Sequence, residues 1–133
     1  VTNVDDADLH VVELTDRERE FISKLLLEWS GSASRKPPPL EILGLPHNDP
    51  TQFGILLDRL DDAVTQHAPL SDLDWARTMF LTEITWASSL LGAGADFETI
   101  TGISDDEGIH LLRGLQRKIG QGRYLNLLYP NRS

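Results

Sequence analysis

Glu107 and His110 stand three residues apart, as Glu-Gly-Ile-His. On a helix this spacing puts a carboxylate and an imidazole on one face, the arrangement that di-metal carboxylate bundles use. Such a centre also needs a second Glu-x-x-His and two further glutamates on facing helices. No second copy occurs, and the other histidines, His10, His47 and His67, have no ligand-like spacing. No metal site is expected, and His110 reads as a surface or interface histidine.

Glu83 is the other acid placed for chemistry. It follows Phe80 by three residues and precedes Ala87 by four, beside an apolar helical stripe. Burial without a partner would raise its pKa and suit it to general acid or base work. Exposure to water, or pairing with Arg113 or Arg117, would leave it a structural acid. One carboxylate without a partner nucleophile is a thin basis for catalysis.

Other catalytic patterns are missing. There is no phosphate-binding GxxxxGK[ST], no GxSxG and no HExxH. Gly92-Ala93-Gly94-Ala95 is not a dinucleotide fingerprint, because Phe97 holds the third glycine's place and a helix precedes it. The pairs Asp5-Asp6, Asp61-Asp62 and Asp105-Asp106 lack the calcium-loop register. With no cysteine, thiol chemistry, disulfides and iron–sulfur clusters are excluded. The expectation is a non-enzyme with no cofactor; a small enzyme built on Glu83 or His110 is the weaker alternative.

Residues 97–119 have the layout of a helix-turn-helix, a short helix, a glycine-containing turn and a longer capped helix. The would-be recognition helix opens with Asp105, Asp106 and Glu107. Three carboxylates there repel phosphates and base edges, so nucleic acid is a disfavoured partner. A transcriptional regulator of this type is the alternative functional reading.

The net charge of −9 is a sum of unequal parts. Up to Glu107 the chain carries 21 acids and 7 bases, a balance of −14. After it come five bases, Arg113, Arg117, Lys118, Arg123 and Arg132, and no acid. Such asymmetry can mark a binding surface, and Arg113, Arg117, Lys118 and Arg123 are the candidate residues. Part of it is ordinary helix electrostatics, acids in a first turn and bases in a last turn.

The elements that must position these residues are helical. Residues 1–8 are acidic and read as frayed. Residues 9–14 read as a strand or an extended lead-in. Thr15 and Glu18 form a capping box ahead of Phe21, Ile22, Leu25, Leu26 and Trp29, which share one helical face up to Gly31. Residues 30–39, rich in Ser, Gly and Pro, read as a loop within one domain. Asp49-Pro50 opens a helix ending near His67. Ser71 caps a long one, to about Leu91, with Leu73, Ala76, Phe80, Ile84, Ala87 and Leu91 on its expected buried face and Met79, Trp86 and Leu90 widening that stripe. Ser104 and Glu107 form another capping box, and Gly120 is the expected stop. Trp29, Trp75 and Trp86 fall on helices, as core or interface anchors.

The expected architecture is all-α. It is a single domain over residues 1–133, with four to five helices bundled around the long helix at about 72–91. A small β-ribbon between residues 9–14 and 123–129 is left open. The 133-residue length suits one core. The opening VTNVDDADLH lacks the basic and apolar regions of a secretory leader, and no apolar run is long enough for a bilayer. A cytoplasmic protein is therefore expected, without a membrane partner. The expected function is a protein-interaction or regulatory module whose partner is another protein or, as a homodimer, itself.

Overall fold

The computed structural model describes residues 9–30, 40–46, 51–90 and 102–120. Five helices and no strand occur among them: α1 (Asp16–Leu27), α2 (Leu40–Leu43), α3 (Thr51–Thr65), α4 (Asp72–Leu90) and α5 (Asp105–Leu115). The chain is an all-α bundle. A 3-10 turn, Glu28–Ser30, closes α1, and a π-helical turn, Gln116–Gly120, extends α5.

Local signals set the helix ends. The Glu18 amide donates to Thr15 Oγ1 at 3.1 Å and the Thr15 amide donates to Glu18 Oε1 at 2.8 Å. Both halves of the capping box are thus formed. The regular α-helix stops at Leu27, earlier than the apolar spacing implies, and the tighter turn after it still buries Trp29. At the end of α3 the backbone turns through His67, whose φ is +58°, and the Ala68 amide donates back to the Ala63 carbonyl at 2.9 Å. That six-to-one closure is a Schellman-type stop, with histidine where glycine is usual. Ser71 Oγ accepts from the Asp74 amide at the start of α4. The Asp49-Pro50 start signal lies outside the described residues.

α1 packs against α3, α4 and α5 and carries the deepest part of the core, Phe21, Ile22, Leu25 and Leu26. The longest helix, α4, shares the centre with it and packs against α1, α5 and the turn after α5. α1 and α3 run antiparallel: Arg19 Nη1 donates to the Val64 carbonyl at 2.8 Å and Ser23 Oγ to Asp61 Oδ1 at 2.6 Å. α4 and α5 also oppose each other, with Trp86 against Gly108 and Glu83 against Gln116.

The lead-in at residues 9–14 is not a strand. His10 exchanges two 3.0 Å backbone hydrogen bonds with Leu70, and Trp75 Nε1 donates to the His10 carbonyl. The segment therefore fastens to the α3–α4 turn, with Val12 and Leu14 turned inward. The other half of the expected ribbon, residues 123–129, lies outside the described residues.

The buried face of α4 is the expected one only in part: Ala76, Met79 and Trp86 are buried as expected, and the Leu90 side chain and Leu91 lie outside the described residues. Trp75, Ala76, Thr78, Met79, Leu81, Thr82, Thr85 and Trp86 are buried. Leu73 and Phe80 are half-buried, and Ile84 and Ala87 are exposed. The cause is the three threonines. Thr78, Thr82 and Thr85 each donate a hydroxyl to a carbonyl four residues back, Asp74, Thr78 and Leu81, at 2.8, 2.7 and 2.6 Å. A threonine satisfied within its own helix enters a core at little polar cost and packs its methyl. The inward face then centres on the threonines and tryptophans, and Ile84 and Ala87 of the expected stripe are left exposed.

Candidate protein interaction surface

Each acid and base singled out in the sequence has a definite place. Glu107 makes a bidentate pair with Arg17 of α1: Nε to Oε2 at 2.8 Å and Nη2 to Oε1 at 2.7 Å. This bonding, with the guanidinium charge, holds the Glu107 carboxyl below the usual carboxylate range. Arg17 also pairs with Glu20 at 2.6 Å. Ser104 caps α5 by accepting from the Glu107 amide at 3.2 Å, but the Glu107 side chain has left the reciprocal half of the expected capping box for Arg17. His110 is exposed, and its Glu-x-x-His partner is thus engaged elsewhere. Among the described residues no group of three or more His, Cys, Asp or Glu could hold a metal ion.

Glu83 lies half-buried in the seam between α4 and α5, where Gln116 Nε2 donates to its Oε2 at 3.1 Å. Loss of water pushes its carboxyl above the usual range, and the Gln116 bond opposes that shift.

The expected basic surface is divided. Lys118 Nζ turns inward to Glu18 Oε1 at 2.7 Å. That carboxylate is nearly buried, and Gly114 makes room for it, since a Cβ there would lie 2.7 Å from Glu18 Oε2. Arg113 and Arg117 are exposed, and neither has a hydrogen-bond or ion-pair partner among the described residues. Arg123 lies outside the described residues. Arg59 and Arg77 both pair with the buried Asp74 carboxylate, and Arg77 also donates to the Leu43 carbonyl at 2.9 Å. Arg113 and Arg117 are thus set apart from the arginines that tie helices together.

The tryptophans are core anchors. Trp86 packs edge-on to Phe21 of α1 and against the Cβ-less backbone of Gly108 on α5. Trp29 meets Phe53 at a 5.4 Å centroid separation. His10 stands beside Trp75 and Asp72. His47 lies outside the described residues.

These contacts orient the α4–α5 pair. α1 covers its inner side, through Phe21 on Trp86 and Glu18 at Gly114. Successive helical residues turn by about 100°. The Glu83–Gln116 bond therefore marks the other rim of the seam, and beyond it both helices turn their outer faces to the same side. On α4 that face holds Phe80, Ile84 and Ala87. On α5 it holds the half-buried Ile109 and the exposed Asp106, His110, Arg113 and Arg117, a stripe at spacings of four, three and four. Sequence reasoning found the arginines but assigned the exposed Ile84 and Ala87 to the core, along with Phe80, which packs against it in part. The signal that separates the two cases is the Thr78, Thr82 and Thr85 series.

The surface has apolar residues along one helix and unpaired charge along the other, with no nucleophile or metal-ligand set in the described part. The first turn of α5 leaves Asp105 and Asp106 exposed at the helix end that would meet DNA; residues 97–101 of the helix-turn-helix pattern lie outside the described residues. No described helix is long and apolar enough to cross a membrane. In comparisons with known proteins, no family model matches the chain, and no curated protein or solved structure is significantly similar to it.

Proposed function

We propose that this chain is a non-catalytic interaction module that docks a protein partner on the outer face of α4 and α5. One observation carries the reading: Ile84 and Ala87 of the longest helix are exposed, beside Phe80, which is only partly buried against the core. An apolar centre beside a charged rim is the anatomy of a protein interface. Arg113 and Arg117, exposed and without a hydrogen-bond or ion-pair partner among the described residues, supply such a rim. A cytoplasmic setting accords with this reading.

Two other readings have less support. A DNA-binding regulator has to place the exposed Asp105 and Asp106 against phosphates. An enzyme built on Glu83 has a half-buried carboxylate bonded to Gln116 and, among the described residues, no nucleophile bonded to it.

The test is site-directed photo-crosslinking in the cells that make the protein. A photoreactive residue replaces Ile84 in one version and the exposed Asp58 of α3 in the other. Discrete protein adducts at position 84 and none at 58 support the docking face. No adduct at 84, or the same adducts at both positions, overturns it.

A further inference from the structure

The occupant of this face can be read from its charge order. Along α5 the exposed stripe runs Asp106, His110, Arg113, Arg117, acid at the helix N-terminal end and base at the C-terminal end. None of the four has a hydrogen-bond or ion-pair partner among the described residues. The half-buried Ile109 lies in the middle of the run, and on the opposed helix α4 Ile84 and Ala87 are exposed and Phe80 is partly exposed.

A two-fold interface brings one surface patch against a copy of itself, so the patch must be complementary to its own reversed image. This stripe meets that condition. When a second α5 lies antiparallel across an axis near Ile109, Asp106 of each copy faces Arg113 of the other, and Arg117 adds to the same field. The two helix dipoles oppose each other favourably. The apolar residues of both copies meet between the charged ends.

We infer that the outer α4–α5 face is a homodimer interface, with α5 packed antiparallel to α5 of a second copy. The inference rests on the docking reading above and names its partner. Other occupants fit the charges less well. An acidic helix of a different protein neutralises the arginines and leaves Asp106 facing like charge. The chain's own residues 121–133 carry Arg123 and Arg132 and no acid, so they bring like charge to Arg113 and Arg117. Nucleic acid is opposed by Asp105 and Asp106.

The experiment is sedimentation equilibrium on the whole chain and three variants, each first checked for native helicity by circular dichroism. The wild type is expected to dimerise reversibly. Asp106→Arg and Arg113→Glu each set like charges opposite one another, and each is expected to weaken the dimer by about tenfold or more. An equimolar mixture of the two is expected to recover association, because one copy then offers two arginines to an aspartate and a glutamate. Asp58→Arg, on the exposed side of α3, leaves the dimer unchanged. A folding defect lowers association in the mixture as well as alone, so recovery in the mixture separates charge pairing from misfolding. A wild type that stays monomeric up to about 1 mM, where binding is only about 4 kcal/mol, overturns the inference. A mixture no more associated than its components also overturns it. If photo-crosslinks from position 84 then reach a different protein, the docking reading survives and self-association alone has failed.

Discussion

Gly108 gives the most direct test of the packing. It lies in the interior of α5, where replacing glycine by alanine normally stabilises a helix by about 1 kcal/mol. Here a Cβ would lie 2.3, 2.7 and 2.9 Å from three atoms of the Trp86 ring. Carbon atoms in good contact are about 3.5–4.0 Å apart, so helix and ring would have to separate by about 1 Å. The ring has little space to move into, and α5 can give way only by loosening its packing on α1 and α4. Trp86 is 2% exposed, and the fully buried Phe21 stands edge-on to it at a 5.6 Å centroid distance. Overpacking of a closed core costs about 1–3 kcal/mol, and a rigid ring held on two sides belongs at the upper end. After the helix-propensity gain, Gly108→Ala should lose about 2 kcal/mol, which for a chain of this length lowers Tm by about 7 °C.

Gly54 is the matched control. It is exposed on α3, and a Cβ there meets nothing within 4 Å. Gly54→Ala should therefore gain about 1 kcal/mol, so the same substitution has opposite signs at two helical glycines. Urea unfolding followed by circular dichroism measures both, with unchanged m-values showing that only stability has moved. Trp86→Phe removes ring atoms that the new methyl meets, so the double variant should lose at least about 1 kcal/mol less than the two single losses added. A Gly108→Ala chain as stable as the wild type, or a strictly additive double variant, would refute the three-helix contact of Trp86.

Three further outcomes follow from named contacts. His67→Gly should raise stability by up to about 1 kcal/mol in thermal unfolding, because glycine tolerates the positive φ that His67 is forced to adopt. Asp74→Ala should cost about 3 kcal/mol in urea unfolding, since it strands the mostly buried Arg77 and releases Arg59; Arg59→Ala, removing the more exposed partner, should cost clearly less. Glu83→Gln should be more stable than the wild type at neutral pH. The folded-state pKa of Glu83 is raised, so the folded chain is penalised above that pKa, and the penalty fades as pH falls below the ordinary Glu value of about 4.3. Stability curves of the two proteins should therefore converge on acidification, and a constant gap at all pH values would remove the burial argument.

Much of the fold is legible because local chemistry and tertiary packing agree there. Thr15 with Glu18, Ser71 and Ser104 mark helix starts in the sequence, and all three hydroxyls accept the expected backbone amide. The apolar positions of α1 are buried as their spacing requires. Agreement fails where a residue serves two ends. The Glu107 side chain is a capping-box residue by spacing, yet it goes to an arginine 90 positions away. A charged bidentate pair is stronger than a neutral return bond to the cap, and no local pattern reveals Arg17 as its partner. Gly108 and Gly114 read as weak helix positions; only the assembled bundle shows a tryptophan ring and a carboxylate in the space of their missing side chains.

The candidate surface was concealed by the same limitation on α4. Hydrophobic periodicity treats threonine as polar and so points Leu73, Phe80, Ile84 and Ala87 inward. Yet Thr78, Thr82 and Thr85 fall at spacings of four and three, which is one helical face, and each finds its acceptor four residues back without any partner helix. That face therefore needs no polar neighbour, and with Trp75, Met79 and Trp86 it presents the larger apolar volume. Two apolar faces on opposite sides of one helix are rarely both buried in a helical bundle of this size. The one carrying the tryptophans wins by buried area, and the other is buried only in part, with Ile84 and Ala87 left exposed. A long helix with a self-satisfied threonine series opposite a leucine–phenylalanine–isoleucine stripe should thus be read as having a core side and a docking side. On this chain the side proposed to dock a partner carries Ile84 and Ala87, which their spacing alone points inward.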